Sequence, residues 1–327
     1  MKLSIVTTLY RSAPYIEEFC RRAFEAARDM TDDVELIMVN DGSPDDSLVH
    51  ALQVQRADPR VVVVDLSRNF GHYKAMMTGL AHARGDLVFL IDSDLEEPPE
   101  DLRRFYDRFR RGHCDVVYGV QETRSHGGFF ERTGGAVFFA LVDALGDRPL
   151  PRNLVTSRLM TASYVKALVR HRDREFVISD LWETTGFRQT SIVVAKQSTS
   201  PSTYSILKRI DLAVKHLTTS STRLLYLVFY LGLLIFITSI GMVLFYLVRY
   251  LTNGIGVSGF ASQIISLWFL GGLITLVLGI LGIYMASILA ETKRRPYTVV
   301  RAVHRASDRL DGTQMRPTSL SRTESLS

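Results

Sequence analysis

Residues 86–99 read DLVFLIDSDLEEPP. A predicted strand at 86–92, apolar without a break over 87–91, leads into Asp92-Ser93-Asp94-Leu95-Glu96, and Pro98 and Pro99 then open a helix reaching about Arg111. A continuous apolar run bounded by turn signals predicts a strand buried on both faces, the kind found in parallel sheets. Alternate carboxylates on an extended segment leaving such a strand point to one side. Like charges so placed are costly unless a cation neutralises them. Hard carboxylate oxygens suit Mg²⁺ or Mn²⁺ shared with substrate phosphates. Asp92, Asp94 and Glu96 are therefore the candidate metal ligands.

The same alternation continues on either side. Strands are predicted at 3–9, 34–39, 61–65 and 115–119. Helices fall from Pro14 to about Arg28, after Asn40-Asp41-Gly42-Ser43 (with Ser43 or Asp45 as its cap), and over 71–84. Strands alternating with helices of this length predict an α/β fold, a mostly parallel sheet with helices on both faces. Ligands of such sheets bind beyond the carboxyl ends of the strands. Three loops of interest lie there: Tyr10-Arg11-Ser12, Asn40-Asp41-Gly42-Ser43 and Asp92–Glu96. The Asp in an Asp-Gly turn can accept a base N–H, although plain turn chemistry explains it equally well. Neither GxGxxG after the first strand nor GxxxxGK[ST] occurs, which removes the main support for dinucleotide and P-loop readings. Cys20 and Cys114 lack metal-ligand spacing and read as buried free thiols.

The 327 residues are 46% hydrophobic and 22% charged, with a formal net charge of +5. Mean hydropathy is +0.09. That excludes a disordered chain and suggests a soluble domain joined to a little membrane. Residues 1–206 carry 26 basic and 29 acidic side chains, a net −3, which argues against nucleic acid as a partner. The positive excess lies at 207–223, net +3, and at 291–327, net +4. Between these segments run two uncharged stretches, 25 residues at 224–248 and 27 at 264–290. About 20 apolar residues span a bilayer core, so two transmembrane helices are expected. Lys208, Arg209, Lys215 and Arg223 precede the first stretch, and Lys293, Arg294 and Arg295 follow the second, whereas the connecting loop 249–263 has only Arg249. Both termini are then expected in the cytoplasm, in a multi-pass protein of the inner membrane. Gly232, Gly241, Gly272, Gly279 and Gly282 could allow close helix packing. Residues 204–217 read as an amphipathic helix on anionic lipid, and the tail from about 308 as disordered. The expected organisation is a catalytic domain at 1–203, an interfacial helix at 204–222, a two-helix hairpin at 223–291 and a basic tail at 292–327.

Taken together, VNDGSPDDS, LSRNFGHYKAMMTGLAHARGD, VFLIDSDLEEPPE, PLPRNLVTSRLM, GFRQTSI and the two C-terminal stretches followed by ETKRRPY resemble the family-2 glycosyltransferases of GT-A fold. The resemblance is to the polyprenyl-phosphate branch, similar to dolichol-phosphate mannose synthase and bacterial undecaprenyl-phosphate sugar transferases. It implies a metal-dependent, inverting transfer from a nucleotide-diphosphate sugar to a polyprenyl phosphate. It implies that Tyr10, Asp41, Arg68, Asp92 and Ser93 hold the nucleotide sugar. Asp94 and Glu96 would lie by the metal and diphosphate, and Arg132 and Arg158 by the phosphates of donor or acceptor. Three departures stand out: Arg11-Ser12 where relatives have Asn-Glu, Thr156 where bacterial relatives often have Asp, and a loop at 196–203 whose only cation is Lys196. The sequence leaves open a non-catalytic nucleotide-sugar-binding partner, another lipid acceptor, and association as a homo-oligomer.

Overall fold

The structure, a computed structural model, describes residues 1–121, 154–171, 173, 176, 178–195, 223–253, 260–293 and 295–306. Four strands, β1 (Leu3–Leu9), β2 (Val34–Asn40), β3 (Val61–Leu66) and β4 (Leu87–Leu90), pair in parallel in the order β3-β2-β1-β4. Every residue of the four is buried, as continuous apolar runs demand. Side chains alternate between two cores. Leu3, Ile5, Leu36, Met38 and Val63 meet α1 (Ile16–Arg28), α2 (Ser47–Ala57) and α4 (Leu102–Arg111) on one face. Val6, Ile37, Val39 and Val64 meet α3 (His72–His82), α5 (Ala162–Leu168) and α6 (Ile178–Thr184) on the other. Helix α1 shows why: Ile16, Phe19, Cys20, Ala23 and Ala27 form one buried stripe, with Glu17 and Glu18 in the first turn and Arg28 in the last.

Beyond β4 the sheet changes direction. β6 (Leu154–Thr161) runs antiparallel between β4 and β5 (Val116–Gln121), and β7 (Gln189–Val194) pairs in parallel with β5. The other edge holds β8 (Val300–His304), antiparallel to β3. β6, β7 and β8 are not expected from the sequence. The segment read as the start of a polar tail is thus the eighth strand of the sheet.

Residues Arg223–Asn253 and Phe260–Thr292 form the long helices α7 and α8, of 31 and 33 residues. At 1.5 Å per residue they are roughly 46 and 50 Å long. Counted over the described residues alone, no helix is long and apolar enough to cross a membrane. The spanning expectation therefore stands on the full uncharged stretches of the sequence. Among the described residues the expected close packing at Gly232, Gly241, Gly272, Gly279 and Gly282 is not seen: a Cβ at each would meet nothing within 4 Å. The expected interfacial helix, Arg132, Lys196 and the tail from 308 lie outside the described residues. The expectation for the cysteines holds for Cys20 but not for Cys114, which is only partly buried.

Candidate active site

A cavity of about 410 Å³ opens at the carboxyl ends of β1, β2 and β4, the place where a parallel sheet of this order reverses direction. Its wall comes from four loops: Thr8, Tyr10 and Ser12; Asp41; Asn69, Gly71 and His72; and Asp92, Ser93 and Asp94.

The loops are stitched by short polar side chains. Ser93 Oγ, buried, donates to the Thr8 carbonyl at 2.9 Å and lies 3.1 Å from Ser12 Oγ. Ser12 Oγ in turn accepts the Tyr10 N–H at 3.1 Å. The departure at Ser12 is thus a small hydroxyl that ties the β1 loop to the β4 loop. Arg11 sits at φ 56°, a left-handed conformation unusual for a side-chain-bearing residue. Its N–H donates to Ser43 Oγ at 2.7 Å. Asp45 collects donors from Ala13 N–H at 3.2 Å, Ser43 Oγ at 2.5 Å, and Ser47 N–H and Oγ at 3.2 and 2.5 Å. The N-cap residue of α2 is Asp46, so neither Ser43 nor Asp45 caps the helix as expected, although Asp45 accepts the Ser47 N–H. Burial would raise the Asp45 pKa, but these hydrogen bonds outweigh it and bring it to about 2.

Asp41 is buried, and its carboxylate accepts the Phe70 and Gly71 N–H groups at 2.7 and 3.0 Å. Burial raises its pKa despite those two bonds. Each oxygen keeps a second lone pair for a ligand N–H. Gly42 lets this loop lie flat on the next: at φ 58°, a Cβ there would come within 2.4 Å of the Arg68 and Asn69 backbone.

Asp92 lies between two groups. Thr156 Oγ1 donates to its Oδ2 at 2.7 Å, and His72 Nε2 stands 3.3 Å from its Oδ1. His72 Nδ1 is 3.0 Å from Thr8 Oγ1. Asp94 is exposed at the cavity rim, where its Oδ1 accepts the Glu96 N–H at 3.0 Å. Between them Leu95 adopts φ 61°, turning the chain sharply. Strained backbone of this kind collects at functional sites.

The other expected residues are placed differently. Arg68 is exposed beside the cavity, stacked 4.2 Å from the Phe70 ring centroid. Arg158 is wholly buried, its guanidinium 3.1 Å from the Trp182 ring centroid and 5.7 Å from that of Tyr118. Desolvation lowers its pKa to about 9, so it stays charged at neutral pH. Neither arginine, nor Glu96, belongs to the cavity wall. The sequence reading missed Thr8, Asn69, Gly71 and His72. Their signal is the Asn69-Phe70-Gly71-His72 run at the carboxyl end of β3, where a ligand loop belongs.

Among the described residues the wall thus holds three carboxylates, Asp41, Asp92 and Asp94, and no lysine or arginine. A diphosphate alone would be repelled there; with a divalent cation between, it would be held. Among the described residues no three of His, Cys, Asp and Glu converge to hold a metal unaided.

Residues 4–171 match the family described as Glycosyl transferase family 2. A Mycobacterium tuberculosis protein described under glycosyltransferases is 45% identical over 320 residues, covering 98% of this chain and 92% of that protein. The SfII prophage-derived bactoprenol glucosyl transferase of Shigella flexneri is 30% identical over 314 residues, covering 94% of this chain and 100% of that protein. The crystal structure of S. aureus TarS 1-349 in complex with UDP-GlcNAc is 18% identical, covers 67% of this chain and 66% of that one, and gives a TM-score of 0.44, too loose a likeness to carry an inference.

Proposed function

The chain belongs to glycosyl transferase family 2, and from that premise we propose that it moves a sugar from a nucleotide-diphosphate donor to a polyprenyl phosphate at the cytoplasmic face of a membrane. The observation that carries the donor side is the cavity at the sheet's reversal point, lined by the carboxylates of Asp41, Asp92 and Asp94. Asp41 and Tyr10 would hold the nucleotide, and Arg68 and Ser93 would border it. Asp94 and Glu96 would hold Mg²⁺ or Mn²⁺, with Asp92 beside them. When bound, the cation supplies Lewis acidity to the leaving diphosphate.

The acceptor side rests on chemistry and on the chain's own long helices. A phosphate monoester is already anionic at neutral pH and needs no strong general base, so Thr156 in place of a carboxylate is compatible with a single inverting displacement. Arg132 would supply positive charge near the phosphates, whereas Arg158, wholly buried against Trp182, stands outside the cavity wall. Exposed Phe229, Leu234, Ile237, Leu278 and Met285 on α7 and α8, together with uncharged stretches of 25 and 27 residues, favour lipid as their solvent. A hairpin anchor would hold the cavity near the headgroups, where a lipid-borne phosphate lies. The relative named as a bactoprenol glucosyl transferase supports the same acceptor class.

The test is a panel of UDP- and GDP-sugars with polyprenyl phosphate and Mg²⁺ or Mn²⁺, read by mass spectrometry of the lipid product. Transfer from one donor, lost on chelation and at least 100-fold lower in Asp94→Ala with an unchanged circular dichroism spectrum, is expected. No transfer from any donor would sink the reading, and full activity in Asp94→Ala would remove Asp94 from it.

A further inference from the structure

Four side chains from four separate parts of the fold meet at one wall of the cavity. His72 opens α3, Thr8 lies near the end of β1, Asp92 follows β4, and Thr156 lies on β6. His72 Nδ1 stands 3.0 Å from Thr8 Oγ1 and Nε2 stands 3.3 Å from Asp92 Oδ1. The other carboxylate oxygen, Oδ2, takes the Thr156 hydroxyl at 2.7 Å. Asp92 Oδ1 is buried and, among the described residues, makes no hydrogen bond of good geometry. One arrangement fits the ring: Thr8 O–H donates to Nδ1, and Nε2 faces Asp92 Oδ1 at 3.3 Å. The imidazole then closes one side of the carboxylate while Thr156 closes the other. Such a carboxylate has little freedom to turn about its Cβ–Cγ bond, and the backbone also fixes the imidazole. Gly71, at φ 102°, sets the chain just before His72, and its N–H is held by Asp41.

We propose that His72 is a positioning residue for Asp92. With Thr156 it brackets the carboxylate and fixes the plane in which Asp92 faces a hydroxyl of the nucleotide-sugar donor. This rests on the donor reading given above. The bracket also separates the two aspartates of the Asp92-Ser93-Asp94 loop. Asp92 is hydrogen-bonded through Oδ2 to Thr156 and faces His72 with Oδ1, and acts on the donor through its orientation, whereas Asp94 stands at the exposed rim.

The experiment uses the purified full chain and the donor that the wild type accepts in the panel. His72→Ala is expected to lower kcat/KM for the donor about tenfold, as a loosened polar group would. The KM for polyprenyl phosphate should not move. His72→Gln, whose amide can still donate toward Asp92, should recover most of the loss, and Thr156→Val and Thr156→Ser should behave as the matching pair. The decisive measurement is donor affinity by calorimetry in an Asp92→Asn background, where adding His72→Ala should cost nothing further. An equal loss in both backgrounds, or no loss in either, would overturn the bracket. If His72→Ala fails to fold, His72→Gln and the Thr156 pair carry the same comparison. An inactive wild type would sink the donor reading and the bracket's purpose with it. An active wild type without coupling between His72 and Asp92 would sink the bracket alone.

Discussion

Single residues hold the cavity's loops at fixed distances, and Asp45 does so by charge. It stands outside the cavity wall yet receives hydrogen bonds from the loops after β1 and β2. Its folded pKa of about 2 lies below the ordinary aspartate value of 3.8. Because the pKa is depressed, its contribution is complete above about pH 4 and is lost as pH falls toward 2. The gap is worth at most about 2.5 kcal/mol, and solvent screening around a group this near the surface brings it to about 1 kcal/mol. Asp45→Asn should therefore lower Tm by a few degrees at pH 7, and the difference from wild type should shrink between pH 4 and pH 2. A difference that stays constant over that range in calorimetry would show that the charge is not what matters. At this scale the sequence is partly legible. Asp92 and Asp94 announce themselves because they repeat at a fixed spacing after an apolar run. His72 does not, since one histidine at a helix start has no pattern around it. Arg158 reads as an exposed cation or a phosphate ligand because its aromatic cover, Trp182, is distant in sequence.

Elements were legible in proportion to how completely they are buried. β1 to β4 are wholly buried and predominantly apolar, and each is visible in the sequence. β6 interrupts its apolar residues with Thr156, Ser157 and Arg158, and β8 contains Arg301 and His304, so neither carries the same pattern. β8 is nonetheless well tied down. Ser67 N–H donates to the Val299 carbonyl at 2.9 Å, and Arg301 donates to the Ser67 carbonyl at 2.7 Å while its Nη1 lies 3.3 Å from Asp65. Thr298 meets Thr78 of α3 at 2.8 Å. Asp65 also accepts from Asn40 at the end of β2, so β8 braces the strand ends that carry the cavity. Removing residues 300–327 uncovers the β3 edge and several backbone hydrogen bonds, each worth about 1 kcal/mol. The truncated chain should lose roughly 5 °C or more in Tm and scatter more light on heating. An unchanged melting curve would show that the strand contributes nothing to the fold's stability.

At the scale of the whole molecule, the charge distribution predicts which way a membrane-anchored chain should face. The large N-terminal part is net −3, whereas 207–223 and 291–327 are net +3 and +4 and flank the two uncharged stretches. Only Arg249 lies in the loop between those stretches. Positively charged flanks stay on the cytoplasmic side, so the loop should face outward and both termini inward. That orientation also places the acidic cavity on the side where nucleotide sugars are made, and the return of residues 300–304 to the sheet requires the chain after α8 to lie on the same side as residues 1–121. Single cysteines test it in a background with Cys20 and Cys114 replaced by Ser. Ser258→Cys should react with a membrane-impermeant maleimide in intact bacterial spheroplasts, whereas Ser307→Cys should react only after permeabilisation. Labelling of both from outside would break the hairpin. The reversed pattern would put the cavity on the face opposite its donor and remove the membrane half of the proposed function, while leaving the chemistry of the Asp92–Asp94 loop to be judged by transfer in detergent.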